Sequence, residues 1–328
     1  MGFMRGLLHV LIGGLLAWEV LATAHLPLLP EAFRWPLAIA LGLFGIWAIW
    51  IAGRMWTRVA ALVVFLALGA VWASIEPTLD KPWRPEVAVM PRVQIDGDIV
   101  RITGFRNFDY RSEDDFTVRH EEREYRLSKL QSVDFYLSYW HVGPVGHTFV
   151  SFNFENQPPV AISIETRPQV GEGFDPLASL FRHFELIYVV GDERDLVRVR
   201  TNHRKEEVFL YRTRLSAEAA RNLFLVYSRR INQLAVKPEF YHLLSNSCTI
   251  NIVRYANKIG RVGGWDIRLI LNGWSDRYLY STEVIDTSRP FDELREASNI
   301  NAAAQAAGQA PDFSSRIRAG LPAPAAAP

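Results

Sequence analysis

Three stretches near the N-terminus, residues 6–26, 35–52 and 59–75, are almost entirely apolar. Each approaches the roughly 20 residues that a helix needs to cross a bilayer core. Buried helices of soluble proteins are seldom apolar on every side three times in succession, so the pattern predicts three membrane spans. After Glu76 the pattern changes. The connector Glu76-Pro77-Thr78-Leu79-Asp80-Lys81-Pro82-Trp83-Arg84-Pro85 is charged and punctuated by proline, which cannot continue a helix. Beyond it, residues 93–102 alternate around Asp96-Gly97, a strong local signal for a hairpin. Further alternations at 116–127 and 133–139 extend a small antiparallel sheet. They lead into strand-like runs at 147–154, 160–166, 186–190, 197–201 and 208–212, which read as a meander. Two helices are predicted after it. One starts near Ser216 and carries Ala220, Leu223, Phe224, Tyr227, Ile231 and Leu234 at helical spacing; the other starts at or just before Cys248. From Asn301 the chain is rich in Ala, Gln, Gly and Pro and is expected to be largely disordered, with residues 313–321 able to dock locally. There is no internal repeat.

The charges orient the spans. Arg5 precedes the first, Arg54 and Arg58 bracket the junction of the second and third, and the loop between the first two carries Arg34 against Glu31. The positive-inside bias puts the N-terminus and the second loop in the cytoplasm and everything after Glu76 on the far side, which in a diderm bacterium is the periplasm. A cleaved signal peptide would explain the first run alone, but no small-x-small site precedes Pro27 and Pro30. His9, Glu19 and His25 are ionisable groups in or beside the first span. Only Glu19 lies deep enough to need a partner, water or a polar path. A formal charge of +1 leaves no basic surplus of the kind that marks nucleic-acid binders. The single cysteine rules out an intramolecular disulfide, so the exported part must hold itself together by an ordinary core.

That cysteine carries the candidate chemistry. In Ser245-Asn246-Ser247-Cys248-Thr249 it opens a helical pattern, where unpaired N–H groups and the helix dipole favour a thiolate. Taken without context, a lone Cys is a small buried hydrophobe. Here His147, about a hundred residues upstream, is available as a base. Strand parity adds a third group. Thr148, Val150, Phe152 and Phe154 form one apolar face, leaving His147, Phe149, Ser151 and Asn153 on the other; Val160, Ile162 and Ile164 leave Ser163 and Glu165 opposite. An antiparallel register that joins the apolar faces therefore puts His147 and Glu165 on the same second face. A carboxylate there would fix the imidazole tautomer and stabilise its charged form. The competing reading makes Glu165 half of a surface ion pair with Arg167 or Arg182. His141 and His147 flank a Gly-Pro-Gly turn with no Cys or carboxylate at ligand spacing, so neither a metal nor a cofactor is expected. Arg182, in Phe181-Arg182-His183-Phe184-Glu185, suits a phosphate or carboxylate head group, or an internal ion pair. Trp265, Trp274 and Tyr278 are expected as ordinary core.

Several strings in order, Ile95-Asp96-Gly97-Asp98, Phe105-Arg106-Asn107-Phe108, His147-Thr148-Phe149-Val150-Ser151-Phe152, Ile162-Ser163-Ile164-Glu165-Thr166-Arg167, Phe181 to Val189 and Asn246-Ser247-Cys248-Thr249, resemble the Lnb N-terminal periplasmic domain family. The resemblance covers about residues 76–300. One departure is that the family has Asn directly before the Cys, where this chain has Ser247, with Asn246 one step earlier. The resemblance implies a papain-like thiol enzyme in the permuted order, His strand before Cys helix, similar to NlpC-type peptidases and lecithin:retinol acyltransferase-like enzymes. It also implies acyl transfer to lipoproteins through a Cys thioester.

The expectation is thus an α+β protein with three N-terminal transmembrane helices followed by an exported permuted papain-like domain, an antiparallel sheet plus helices. Its expected divisions are a membrane anchor at 1–76, a linker and small β-rich extension at 77–140, the thiol domain at 141–300 and a low-complexity tail at 301–328. Cys248, His147 and Glu165 are the expected catalytic residues, with Asn246, Ser151 and Arg182 as oxyanion or substrate contacts. The expected location is the bacterial inner membrane with the C-terminal domain in the periplasm, and the expected partners are the membrane and a phospholipid or lipoprotein substrate, without nucleic acid. Two alternatives stay open: a thiol hydrolase acting on cell-wall peptide or lipid, and a non-catalytic envelope protein that binds a lipid or a partner in the same groove.

Overall fold

The apolar runs form helices α1 (Gly2–Ala24), α2 (Glu31–Ile46), prolonged by a π-helical turn at Trp47–Ile51, and α3 (Met55–Ala73). All three are long and apolar enough to cross a membrane. A computed structural model describes residues 2–260 and 263–322 of the chain. It divides into two compact units, Met1–Thr78 with Phe174–Glu185, and Leu79–Gly173 with Leu186–Pro328.

In the first unit, α1 and α2 pack closely because α2 turns a stripe of small residues, Ala38, Gly42, Gly45 and Ala48, into the bundle. A Cβ on Gly45 would run into the end of the Leu16 side chain, which would have to shift to make room, so the glycine favours the close approach. Glu19 is buried and lines a small cavity with Trp18, Ala22, Thr23, Leu26, Leu68 and Trp72. It faces the bundle interior, the side on which an ionisable residue in a span is tolerated. The segment Phe174–Glu185 covers the end of this bundle. Phe181 stacks on His25, and the Arg182 guanidinium lies over the Trp72 ring and donates to the carbonyls of Ala73 and Ile75 at 2.7 and 3.2 Å. Those carbonyls are orphaned at the C-terminus of α3, and a cation there also complements the helix dipole.

The second unit is built on a sheet. Its strands are β1 (Arg92–Asp96), β2 (Ile99–Arg106), β5 (His120–Arg126), β6 (Leu130–Tyr139), β7 (His147–Phe154), β8 (Val160–Arg167), β9 (Glu185–Gly191) and β10 (Glu207–Arg212); β3 (Asp109–Tyr110) and β4 (Phe116–Thr117) form a separate two-stranded pair. The spatial order is β1-β2-β9-β8-β7-β6-β10, with β5 also on β2. The predicted hairpin is present, with Asp96 opposite Ile99. The sheet is mixed, because β2 meets β9 in parallel at Arg106 and Gly191.

Helices cover both faces. On one lie α5 (Ala217–Leu234), whose six periodic apolar residues are all buried, and α6 (Cys248–Ile259). Phe152 of β7 meets Phe224 and Tyr227 edge-on there. On the other face Tyr136, Phe149, Val208 and Leu210 pack with Val197, Ile300, Ala304, Ala307, Phe313 and Ile317.

Two expectations are corrected by that second layer. Residues 197–201 are not a strand: α4 (Glu193–Arg198) begins at Asp192, whose carboxylate accepts from the Arg194 N–H at 2.9 Å, and it widens into a π turn at Val199–His203. The cap and the acidic first turn outweigh the β-branched residues that follow. Asp195 of α4 is also clamped by Arg106 of β2 through two hydrogen bonds of 2.8 and 3.0 Å, fully buried. The tail is folded as far as it is described, and residues 323–328 lie outside the described residues. After α7 (Ser275–Ser281) and α8 (Phe291–Ala297) come α9 (Asn301–Ala307) and α10 (Phe313–Arg316). Beyond α10, Arg318 reaches Asp134 at 2.8 Å and Glu193 at 2.6 Å. One sheet therefore runs across residue 140, and the tail continues its cover past residue 300.

Candidate active site

The register of β7 on β8, Phe149 opposite Ser163 and Val150 opposite Ile162, brings His147 level with Glu165 when it is continued. The imidazole Nε2 lies 2.7 Å from the Ser163 hydroxyl and 3.8 Å from a Glu165 carboxylate oxygen. Ser163 also hydrogen-bonds the carboxylate, so its hydroxyl links imidazole to carboxylate. Glu165 takes its shortest contact, 2.8 Å, from Arg200 on the π turn after α4. Burial would raise this carboxyl, but Arg200 first, then His147, Arg106 and the Ser163 hydroxyl hold it well below the usual carboxylate range. The ion pair of Glu165 is thus with Arg200, neither Arg167 nor Arg182. The His147 ring stacks on Phe149, which in turn lies under the Arg200 guanidinium.

Cys248 is the first residue of α6, after Ser247 in an extended conformation. The thiol is buried. Thr148 and Thr249 join their hydroxyls at 2.8 Å, which stitches the first turn of α6 to the start of β7. The thiol therefore meets the His147 side chain together with the N–H and hydroxyl of Thr148. Burial pushes the thiol up, yet the hydrogen bond and charge of His147 and the two Thr148 donors outweigh it and bring the pKa down to about 6.

The Thr249 hydroxyl lies 3.8 Å from the sulfur, and polar groups from two other segments approach it as well. Asn272 Nδ2 lies 3.6 Å away, and the other end of that amide is pinned by the Gly146 N–H, which donates to Oδ1 at 2.9 Å. The Tyr241 hydroxyl lies 3.9 Å from Sγ and accepts from the Cys248 N–H. Asn272 is held by a close approach of two loops. The Gly273 N–H donates to the Pro144 carbonyl at 3.0 Å, and a Cβ on Gly273 would fall 2.2 Å from the Gly143 oxygen.

Residues 116–273 match the Lnb N-terminal periplasmic domain. The likeness to that family is carried by this stretch of the chain. No curated protein and no solved structure matches it. The Lnb stretch begins at β4 and ends one residue past Asn272, so it holds His147, Ser163, Glu165, Arg200, Tyr241, Cys248 and Asn272. With three apolar helices ahead of it, the protein is a membrane-anchored one with a periplasmic domain.

Within the Lnb domain the other expected contacts lie away from the sulfur. Ser151 sits four residues along β7 from His147, about 13 Å at the rise of a strand, opposite Asp134 and Ala161. The Asn246 amide is taken up by the Phe240 carbonyl at 2.8 Å and by Asn251 at 3.0 Å, so it shapes the loop ahead of α6. Arg182 belongs to the other unit, on the carbonyls at the end of α3. His141 is exposed in the 140–146 loop. Among the described residues no three His, Cys, Asp or Glu side chains gather as metal ligands. Tyr278 is core as expected, but Trp265 is 79% exposed and Trp274 is exposed as well.

Sequence reasoning did not single out Asn272, Tyr241 or Arg200. For Asn272 the one local signal is the Asn-Gly step in Leu271-Asn272-Gly273-Trp274, which announces a turn and says nothing of where it folds. Arg200 was concealed by the reading of 197–201 as a strand.

Proposed function

We propose that this protein is a membrane-anchored thiol acyltransferase of the periplasm that works through a thioester on Cys248. The observation that carries the reading is a buried thiol, drawn down to about 6, beside His147 at the start of α6. A structural cysteine in an apolar pocket is shifted the other way. The order of His strand before Cys helix agrees with a permuted papain-like arrangement, and the spans of the same chain keep the enzyme where acyl chains are. We take the membrane to be the bacterial inner membrane.

The Cys248 thiolate attacks the carbonyl carbon of an acyl ester on a phospholipid. As the C–S bond forms, the carbonyl oxygen becomes an oxyanion, and Asn272 Nδ2 and the Tyr241 hydroxyl, 3.6 and 3.9 Å from the sulfur, are the side-chain donors to which we assign its stabilisation. When the oxyanion collapses, the ester C–O bond breaks and the His147 imidazolium gives its proton to the departing lysolipid alkoxide. Nε2 is engaged by Ser163, so Nδ1 is the nitrogen that serves the sulfur. In the second half an acceptor amine, such as the α-amine of a lipoprotein, attacks the thioester; His147 takes its proton and the thiolate leaves. Ser163 orients the imidazole, and Glu165, itself held by Arg200, stabilises its charged form through Ser163.

Mass spectrometry of the full chain purified in native lipid tests this. An acyl mass on the Cys248 peptide, absent in Cys248→Ser, is expected, together with transfer to an added N-terminal S-diacylglycerylcysteine peptide. Release of free fatty acid alone would make the protein a hydrolase, and no adduct under any donor would leave the thiol without a catalytic role.

A further inference from the structure

Three loops meet around Cys248, and each exposes large apolar side chains. The 140–146 loop carries Val142 and Val145, the stretch before α6 carries Leu244, and residues 265–274 carry Trp265, Ile267 and Trp274. These loops are tied to one another at the site. The Gly273 N–H donates to Pro144, the Gly146 N–H donates to Asn272, and Asn272 reaches the Cys248 sulfur four residues after Leu244. The last stretch is itself a chain of tight turns, with the Leu271 N–H on Ile267 and the Trp274 N–H on Leu271. The exposed side chains therefore stand on a braced rim. Val142 is 69% and Trp265 is 79% exposed.

Single exposed apolar residues are ordinary, but six of them clustered on three adjoining loops mark a surface that is covered in use. What covers it is argued from this chain itself. Tryptophan, with a large apolar body and one N–H donor, is the side chain enriched where hydrocarbon meets water. Exposed basic residues flank the rim: Arg254, which donates to the Ser245 carbonyl next to Leu244 at 2.7 Å, and Lys258 one turn further along α6. A basic fringe beside an apolar centre complements anionic head groups above acyl chains. The bilayer is always within reach, because the chain carries three spans of its own.

We propose that this rim is a bilayer-docking surface, with Trp265, Trp274, Ile267, Val142, Val145 and Leu244 entering the head-group layer around the mouth of the Cys248 site. Docking of this kind would let an acyl ester reach the thiol without crossing water. That benefit rests on the acyl-transfer reading, while the docking itself does not.

The test uses the full chain in nanodiscs of phosphatidylethanolamine and phosphatidylglycerol. Cys248→Ser removes the only native thiol, so Trp265→Cys or Val142→Cys in that background takes a single environment-sensitive fluorophore. Val118→Cys, at an equally open apolar position (51% exposed) between β4 and β5, is the control. The labels at 265 and 142 are expected to shift to the blue on reconstitution and to lose intensity when the lipid carries a nitroxide high on its acyl chain, with the label at 118 doing neither. Emission and quenching at 265 and 142 no different from 118 would overturn the proposal and leave a protein partner as the cover for the rim. Quenching in a protein whose wild type never forms a Cys248 adduct would remove the acyl-transfer reading and leave the docking surface standing.

Discussion

Cys248 and His147 are bound to each other by charge as well as by position, and this makes the pH dependence of the thiol informative. A pKa lowered to about 6 means that the thiolate is present above that pH and is lost as pH falls through it. Alkylation of the native protein by a small thiol reagent should therefore persist to mildly acidic pH, with a midpoint near 6. In His147→Ala the midpoint should move up, because burial then acts with less opposition. Labelling only in denaturant would identify a structural cysteine. On any acyl substrate, His147→Ala should cost about a hundred- to ten-thousandfold in kcat, the usual worth of general acid–base help. Ser163→Ala and Glu165→Gln should each cost less than that, because each leaves the imidazole in place and weakens only its orientation or the stability of its charged form. His141→Ala, at an exposed loop position, should leave kcat near wild type. Loss of activity in His141→Ala with His147→Ala active would mean that the wrong histidine has been assigned.

At the scale of elements, the junction of the 140–146 loop with the 272–274 turn sets the position of Asn272. Removing one oxyanion donor costs about a hundred- to a thousandfold in kcat, and Asn272→Ala should fall in that range with the fold intact. Gly273→Ala should lower kcat as well without touching a reacting group, since its Cβ would meet the Gly143 oxygen at 2.2 Å and force the loops apart. Comparing kcat with the thermal midpoint of both variants separates displacement of the amide from general unfolding. The tail gives a second test at this scale. Phe313 is fully buried in the layer over β6 and β7, and Phe313→Ala should destabilise the periplasmic unit by about 3–5 kcal/mol in urea titration. Arg318→Ala should cost a similar amount, about 3–5 kcal/mol, because it strands Asp134 and Glu193 as buried carboxylates. An unchanged unfolding midpoint in both variants would mean that the tail is not part of the folded layer.

Across the whole molecule, the arginine distribution and the three apolar helices predict the topology. A reporter fused after Glu76 should be exported, and one in the loop between Arg54 and Arg58 should stay in the cytoplasm. Export of the loop reporter would reverse the orientation of the spans. The spans, the hairpin at Asp96-Gly97, the strands β6 to β10 and the helices at Ser216 and Cys248 were legible in the chain alone, because each rests on a local period or a local capping signal. Parity along β7 and β8 likewise put His147, Ser163 and Glu165 on one face, since a side-chain period of two needs only an antiparallel register to become a contact. What the chain could not announce are contacts whose partner lies far away in sequence. Asn272 is an ordinary turn residue until the Gly146 N–H holds its amide against the sulfur, and Arg200 is one cation among many until α4 carries it to Glu165. The Ala-rich tail reads as unstructured because its stabilising partners, Asp134, Glu193 and the Tyr136–Phe149 face, are supplied by the sheet. Local periodicity decided which segments fold and which way they face; only the packed structure decided which distant polar groups share one buried space, because desolvation forces them to find each other there.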